Sequence, residues 1–337
     1  MAASMEMQEE ERDYLQKLPN EVLEEIFSYL DKDSVKNLRV VNKRCKKVVD
    51  SSKEILKKFD VKQANRLVIR YLHEKKFYEF RWCNYESKTA RKIYITSEEL
   101  KNDQIFYFAF KQMSFQRVMF KNLSNKSLSN EVLYFLCKHF SYCPKFEPTN
   151  LSFENVDFCV LSPTLLNRLL ELCGQFLETF QINNAYGLNR NSINDSHIKQ
   201  LNPLKIKRLT MQSMKFLSSI YHKKVLKITD ESIKWLMGAG QFPTLVFEHC
   251  QITTPIMCRY IECWLKKAAR DTVNTNIKSH SFMLKHCPSV SSEIFEKECI
   301  ERKLSYSKSS PESSSTPEQT YTLFNENSST EFAVSLC

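Results

Sequence analysis

The side chains in this chain best suited to hold a metal or attack a substrate are its cysteines and histidines. Twelve cysteines lie scattered from Cys45 to Cys337 among 337 residues, with no CxxC pair. The nearest approach to a ligand cluster is Cys137, His139 and Cys143, on an expected helix and the loop after it. A structural zinc site needs four converging ligands, usually supplied as two close pairs. A trio without a second pair reads instead as reduced thiols used as small apolar core residues. Phosphate chemistry fares no better. The four glycines, Gly174, Gly187, Gly238 and Gly240, are too dispersed for a loop whose backbone N–H groups close on an anion. There is no GxSxG elbow, HExxH helix or recognisably spaced His, Asp and Ser set. Triads built from distant residues leave no such trace, yet nothing here argues for catalysis. The chain is read as non-enzymatic, with no catalytic residue, no metal and no cofactor.

The formal net charge of +10 raises a nucleic-acid reading. Basic residues crowd between Lys36 and Lys58, including Lys43, Arg44, Lys46 and Lys47. Elsewhere they interleave with acids, as solvated helix faces do. No apolar run approaches the roughly 18 residues that span a bilayer. The opening MAASMEMQEEERDYLQ is acidic and lacks the apolar segment of a secretory signal. A cytoplasmic or nuclear location is expected, with no membrane partner.

The first elements are helices. In LPNEVLEEIFSYL, residues 18 to 30, the apolar positions Leu18, Val22, Leu23, Ile26, Phe27 and Leu30 form one helical face, with Pro19 near the first helical position. Asp31 and Asp33 suit the start of a second helix bearing Val35, Leu38 and Val41. A third carries Val41, Cys45, Val48 and Val49 on one side and lysines on the other. Three short helices in about 40 residues make a core too small to stand alone easily. The apolar stripe is therefore expected to continue into a partner protein.

The order Leu18-Pro19, Val22-Leu23, Ile26-Phe27, Leu30, Val35, Leu38, Arg39, Val41, Arg44, Val48 resembles an F-box, over roughly residues 15 to 55 and under a sixth of the chain. Cys45 stands where that family often has tryptophan. The resemblance implies docking on the Skp-family adaptor of a cullin-RING ubiquitin ligase. It assigns the adaptor contact to Leu18, Pro19, Val22, Leu23, Ile26, Phe27, Leu30, Val35, Leu38, Val41 and Val48.

Downstream, LVFEHCQI places Leu245, Phe247, Cys250 and Ile252 in an apolar-x-apolar-x-x-small-x-apolar frame. The frame recurs in LTMQSMKF and LSFENVDF and, more weakly, in FQINNA and VMFKNL. The starts, at 118, 151, 180, 209 and 245, lie 33, 29, 29 and 36 residues apart. Leu67 to Ile69 and Phe282 to Leu284 could extend the series. Between copies lie helices with capping starts: Ser162-Pro163, Thr254-Pro255, Ser129 and Asp230, the last stopped by Gly238. One strand and one helix per 30 or so residues bury their apolar faces only by stacking. This region, 60 to 302, is expected to be α/β, an irregular leucine-rich-repeat-like solenoid, with a compact α+β domain as the alternative. The frame around Phe247, Glu248, Cys250, Ile252 and Trp264 is also similar to the associated domains of large nematode F-box families.

Positions between the apolar ones point away from the core. They are Met119, Lys121, Ser152, Glu154, Gln181, Asn183, Thr210, Gln212, Val246 and Glu248, a mixed polar stripe without a basic ladder of interleaved stacking residues. It is read as the surface for a protein substrate of unknown identity. Residues 1 to 14 are expected to be flexible. Residues 303 to 319 read as a Ser/Pro-rich linker or loop too polar to pack, with Ser310-Pro311 and Thr316-Pro317 as candidate phosphoacceptors. Residues 320 to 337 alternate as a hairpin turning at Asn325 to Ser329. The favoured function is a substrate receptor for a Skp/cullin/F-box ligase. The alternatives are an F-box scaffold outside any ligase and a nucleic-acid binder with a helix-turn-helix. The latter is disfavoured because its last helix lacks an obvious set of base-reading Arg, Asn or Gln residues.

Overall fold

Capped amphipathic segments build the first unit, and short alternating segments build a sheet. The computed structural model describes residues 17–41, 43–56, 62–84, 90–102, 113–124, 127–143, 146–216, 225–270, 280–309, 319–324 and 331–336. The expected flexible start, the two phosphoacceptor dipeptides and the turn from Asn325 to Ser329 lie outside these residues.

Helices α1 (Asn20–Tyr29), α2 (Lys32–Val41), α3 (Lys43–Ser51) and α4 (Lys53–Leu56) come first. Pro19 stands at the N-cap of α1, and its carbonyl accepts the Leu23 N–H at 3.1 Å. Before α2, Asp31 Oδ1 accepts the N–H groups of Ser34 and Asp33, both at 2.9 Å. These bonds hold its carboxyl below the usual range. Leu23, Phe27, Val35, Cys45, Val48, Val49 and Ile55 close a small core. Ile55 comes from α4, a fourth helix that four residues of pattern did not reveal. Arg39 and Asp50 pair at 2.7 Å, joining α2 to α3. Arg44 bonds Asn20 Oδ1 at 3.1 Å and also the Leu18 carbonyl, tying α3 to the start of α1.

The strands are β1 (Lys62–Leu72), β2 (Phe77–Asn84), β3 (Arg91–Ile95), β4 (Met113–Leu123), β5 (Asn150–Val156), β6 (Thr179–Asn183), β7 (Arg208–Gln212), β8 (Thr244–Glu248), β9 (His280–Lys285), β10 (Ser305–Ser309), β11 (Gln319–Phe324) and β12 (Glu331–Leu336). Helices α5 (Asn130–Ser141), α6 (Pro163–Cys173), α7 (Asp195–Lys199), α8 (Asp230–Gly238), α9 (Thr254–Arg270) and α10 (Ser292–Glu301) fall between them. All twelve strands among the described residues join one sheet, in the order β10-β11-β12-β9-β8-β7-β6-β5-β4-β1-β2-β3. Strands β4 to β9 are consecutive, parallel neighbours. β1 joins parallel to β4, and β12 parallel to β9. At the edges, β2 and β3 and then β11 and β10 pair antiparallel.

The fold is thus mixed α/β, and the expected leucine-rich-repeat solenoid is not what forms. One continuous sheet contains both parallel strands and antiparallel flanks, where a solenoid would stack one repeated unit. The helices between strands range from five residues in α7 to seventeen in α9, so the near-regular strand spacing does not reflect a constant unit. Residues 305 to 309 correct a second expectation. Expected in a linker or loop too polar to pack, they form β10, an edge strand that needs only β11 as a partner and can keep its polar side chains wet.

The two-residue gap in the sequence frame has a backbone cause. Asn122, Asn155, Asn184, Ser213, His249 and His286 all have φ between 50° and 55°. One stands within one residue of the end of each of β4 to β9. Such a left-handed residue turns the chain by one position, so the next side chain faces the core again. Leu123, Val156, Ala185, Met214, Cys250 and Cys287 are accordingly buried. Asn and Ser bear this conformation more easily than bulky residues, because their short polar side chains bond locally. Neighbouring turns are linked: Asn155 Nδ2 donates to Asn122 Oδ1 at 3.0 Å, and the Asn184 N–H donates to the Gln212 carbonyl at 3.2 Å.

Beneath the sheet, Phe120 stacks on Phe153 with ring centroids 4.7 Å apart. Successive helix starts are also cross-linked. Asn130 Oδ1 accepts the Ser162 N–H at 2.6 Å, Asp195 accepts Thr229 N–H and Oγ1–H at 2.9 and 2.7 Å, and Asp230 accepts both from Thr253 at 2.8 Å. Asn184 is exposed, so its backbone conformation can be tested without disturbing packing. Asn184→Val should lower stability by about 1–2 kcal/mol, the cost of a left-handed residue with a branched side chain. Asn184→Gly should leave the melting temperature nearly unchanged. Equal melting of the Val and Gly variants would show that the turn carries no conformational demand.

Candidate functional site

The apolar stripe of the N-terminal helices divides between two environments. Leu23 and Phe27 of α1, Val35 of α2 and Val48 of α3 are buried in the helices' own core. Leu18, Leu30 and Leu38 pack partly buried at its margin, and Pro19 is exposed. Val22 and Ile26 are 38% and 40% exposed, and Tyr29 is 81% exposed, all along one side of α1. Val40 and Val41, at the end of α2, are exposed as well. The unit therefore presents apolar side chains to solvent from a seat made rigid by its own core and by the Arg39–Asp50 and Arg44 contacts. Surfaces of that kind mark partner contacts.

The Cys137, His139 and Cys143 trio is absorbed by the fold. Cys137 lies in the core, and burial pushes its thiol up to about 12. His139 Nε2 bonds the Leu100 carbonyl at 2.9 Å, and the Cys143 thiol points at the His139 carbonyl. Among the described residues, no group of three His, Cys, Asp or Glu side chains is placed to hold a metal ion. No helix among them is long and apolar enough to cross a membrane.

The ten positions expected on the outward sheet face do form aligned rows across the strands. One row runs Met119, Ser152, Gln181, Thr210, Val246, and the next Lys121, Glu154, Asn183, with Gln212 opposite Asn183. Glu248 pairs with Lys285 at the far side. They are not equally available. Ser152, Thr210 and Glu248 are buried, and the other seven are half-buried. Lys121 and Glu154 pair at 2.9 Å. Glu248 Oε2 accepts the Met214 N–H at 3.0 Å, and its other oxygen lies 4.0 and 3.9 Å from the stacked rings of His249 and His286. Glu248 is thus engaged by the turn after β7 and is not a free recognition group. By contrast, Ser152 Oγ and Asn183 Oδ1 are buried without a hydrogen-bond partner among the described residues. Buried polar atoms of this kind ordinarily find one, and this pair faces outward in the middle of the sheet.

The same rows continue onto β1, where Leu67 to Ile69 extended the repeat frame, and onto β2 and β3, which the frame did not reach. Val68 and Arg70 align with Met119 and Lys121, and Arg81 and Glu79 align in turn with them. The signal lay in KQANRLVIRYL and FYEFRWCN, where charged residues alternate with apolar and aromatic ones.

With this geometry in place, the comparisons with known proteins bear on the first surface alone. No curated protein matches the chain. The family model of the F-box domain matches residues 15–57. That span takes in α1 to α4, their shared core and the exposed side of α1, and the chain therefore carries an F-box domain.

Proposed function

We propose that this protein is a substrate receptor, docking on a Skp-family adaptor of a cullin-RING ubiquitin ligase through α1 to α4 and holding a protein target on the outward sheet face. The observation that carries the reading is the coincidence of the matched F-box with exposed Val22 and Ile26 on α1. Leu18, Pro19, Val22, Ile26, Leu30, Leu38 and Val41 make the adaptor contact in this reading. Leu23, Phe27, Val35 and Val48 support them from beneath. Ubiquitin chemistry belongs to the other subunits, and this chain contributes by proximity, since holding a target beside a reactive group can lower a barrier by several kcal/mol. The protein works in the cytoplasm or nucleus. On the sheet face, Met119, Lys121, Ser152, Glu154, Gln181, Asn183, Thr210, Gln212 and Val246 form the floor on which a target rests. Glu248 shapes its far border.

Two experiments follow from the division into exposed and buried groups. Val22→Glu with Ile26→Glu should abolish co-precipitation of the adaptor while the melting temperature stays put. Leu18→Ala with Pro19→Ala should weaken it strongly. Leu23→Ala or Phe27→Ala should instead unfold the helices, at about 2–5 kcal/mol for each buried group lost. Adaptor recovered in undiminished yield by the Val22 and Ile26 double variant would sink the docking surface.

On the sheet, Gln181→Trp should leave melting unchanged and reduce recovery of partners other than the adaptor. Glu248→Ala leaves the buried Met214 N–H unsatisfied and should cost about 1–3 kcal/mol. A normal melting curve for Glu248→Ala, together with early melting of Gln181→Trp, would mean that the assigned roles are reversed.

A further inference from the structure

The outward sheet face turns basic where β3, β2, β1 and β4 lie side by side. Lys92 stands opposite Arg81, Arg66 opposite Arg117, and Arg70 opposite Lys121. Arg81 aligns with Val68, between Arg66 and Arg70 on β1. All six cations share the face. Two of them are neutralised. Arg70 bonds the fully buried carboxylate of Glu79 at 2.8 and 2.6 Å, and Lys121 holds Glu154 at 2.9 Å. Arg66, Arg81, Lys92 and Arg117 are exposed, and none has an ion-pair partner among the described residues.

This arrangement is costly for the free protein. Like charges directly opposite on adjacent strands repel, and the Arg66 and Arg117 pair has no compensating acid among the described residues. A bound polyanion would relieve that repulsion. Neighbouring strands lie about 4.8 Å apart, so the patch spans about 14 Å from β3 to β4, the reach of four or five extended residues. Three of the four free groups are guanidinium forks, which match carboxylates two bonds at a time. A nucleic-acid strand fits less well. Binding one without base readout uses successive aromatic platforms along a basic groove, whereas among the described residues the exposed aromatic on these rows is Tyr94, directly beside buried Glu79.

We propose that the face of β3, β2, β1 and β4 is the selecting part of the target surface, and that Arg66, Arg81, Lys92 and Arg117 bind an extended, Asp/Glu-rich segment of the protein target. This deepens the substrate-receptor reading and rests on it for the identity of the ligand as a target; the binding itself does not require the adaptor.

The test uses the full chain and a labelled eight-residue peptide of alternating Glu and Ser, with fluorescence anisotropy as the readout. A Lys/Ser peptide and a single-stranded RNA of similar length are the comparison ligands. The acidic peptide should bind, and more weakly as salt shortens the screening length from the about 10 Å it has at 0.1 M. Arg66→Glu with Arg117→Glu should weaken binding about tenfold or more, as losing charge-assisted bonds does. Lys234→Glu with Lys297→Glu, the same charge change on helices α8 and α10, should leave it unaltered. Arg66→Gln with Arg117→Gln guards against misfolding: with an unchanged melting curve it should still lose several-fold. No binding of the acidic peptide overturns the proposal. So does equal weakening by the two charge-reversal pairs, which would mean that net charge alone is sensed. Tighter binding of the RNA than of the peptide reassigns the patch to nucleic acid. Adaptor co-precipitation on the same variants keeps the two readings apart. Its absence with peptide binding intact strikes the docking role, and its presence with peptide binding absent strikes only the basic patch.

Discussion

The left-handed residue that ends each of β4 to β9 is the constraint on which the sheet depends. Without it the alternation of each strand would run on, and the side chain after it would face solvent. With it, Leu123, Val156 and Met214 return to the core beside Phe120, Phe153 and Met211. A left-handed non-glycine residue costs about 1–2 kcal/mol, and Asn or Ser lessens that by bonding locally. Burying the following apolar side chain returns about 1.5–3 kcal/mol where it is as large as Leu, Val or Met. Burial therefore wins, narrowly, at β4, β5 and β7, and the margin is smallest at β6, where the returning residue is only Ala185. The turns also set where each chain leaves the sheet, and hence where the next helix begins. The Asp195 to Thr229 and Asp230 to Thr253 bonds then hold adjacent helix starts to one another.

This explains which parts of the fold were legible in the sequence. The strands β4 to β8 showed themselves because the frame contains its own irregularity: two residues, not one, between Phe247 and Cys250, and likewise between Phe153 and Val156. Plain alternation has no such mark. β2 and β3 belong to an antiparallel flank without the left-handed step, so FYEFRWCN and RKIYI carry only plain alternation and fall outside the frame. β10 was hidden for another reason. An edge strand with one neighbour can be built from Ser and Lys, and composition then reads as linker. The same frame encouraged a solenoid, because near-regular strand spacing says nothing about the length of the helices between strands or about the antiparallel edges that complete the sheet.

The two surfaces were legible to different degrees. On α1, sequence gives the apolar face but not its division. A stripe with Val22, Leu23, Ile26 and Phe27 on a ten-residue helix, and Leu18 and Leu30 flanking it, is wide enough to serve two contacts at once. Only the placement of α3, fixed through Cys45, Val48 and Val49, shows that Leu23 and Phe27 turn inward while Val22 and Ile26 stay out. On the sheet, the outward parity of all ten residues could be read from alternation. Their availability could not, because it depends on neighbours distant in sequence, such as the Met214 N–H that engages Glu248 from 34 residues away.

Charge is where linear reading fails most fully. Along the chain, the cations of β1 and β2 sit among acids, and Arg81 has Glu79 two residues before it, on the same face of the same strand. Interleaving of that kind looks like compensation. In the sheet, however, Glu79 is buried and engaged by Arg70, nine residues away on the neighbouring strand, so it is not available to Arg81. The dense basic segment from Lys36 to Lys58 shows the converse. It holds the helical Arg39 and Arg44, yet these bind Asp50, Asn20 and the Leu18 carbonyl and act as internal ties of the F-box. What distinguishes the β3 to β4 face is therefore not the density of basic residues but the lack, among the described residues, of acids left over to neutralise them. That lack is a property of pairings, and pairings are settled only when the strands are laid side by side.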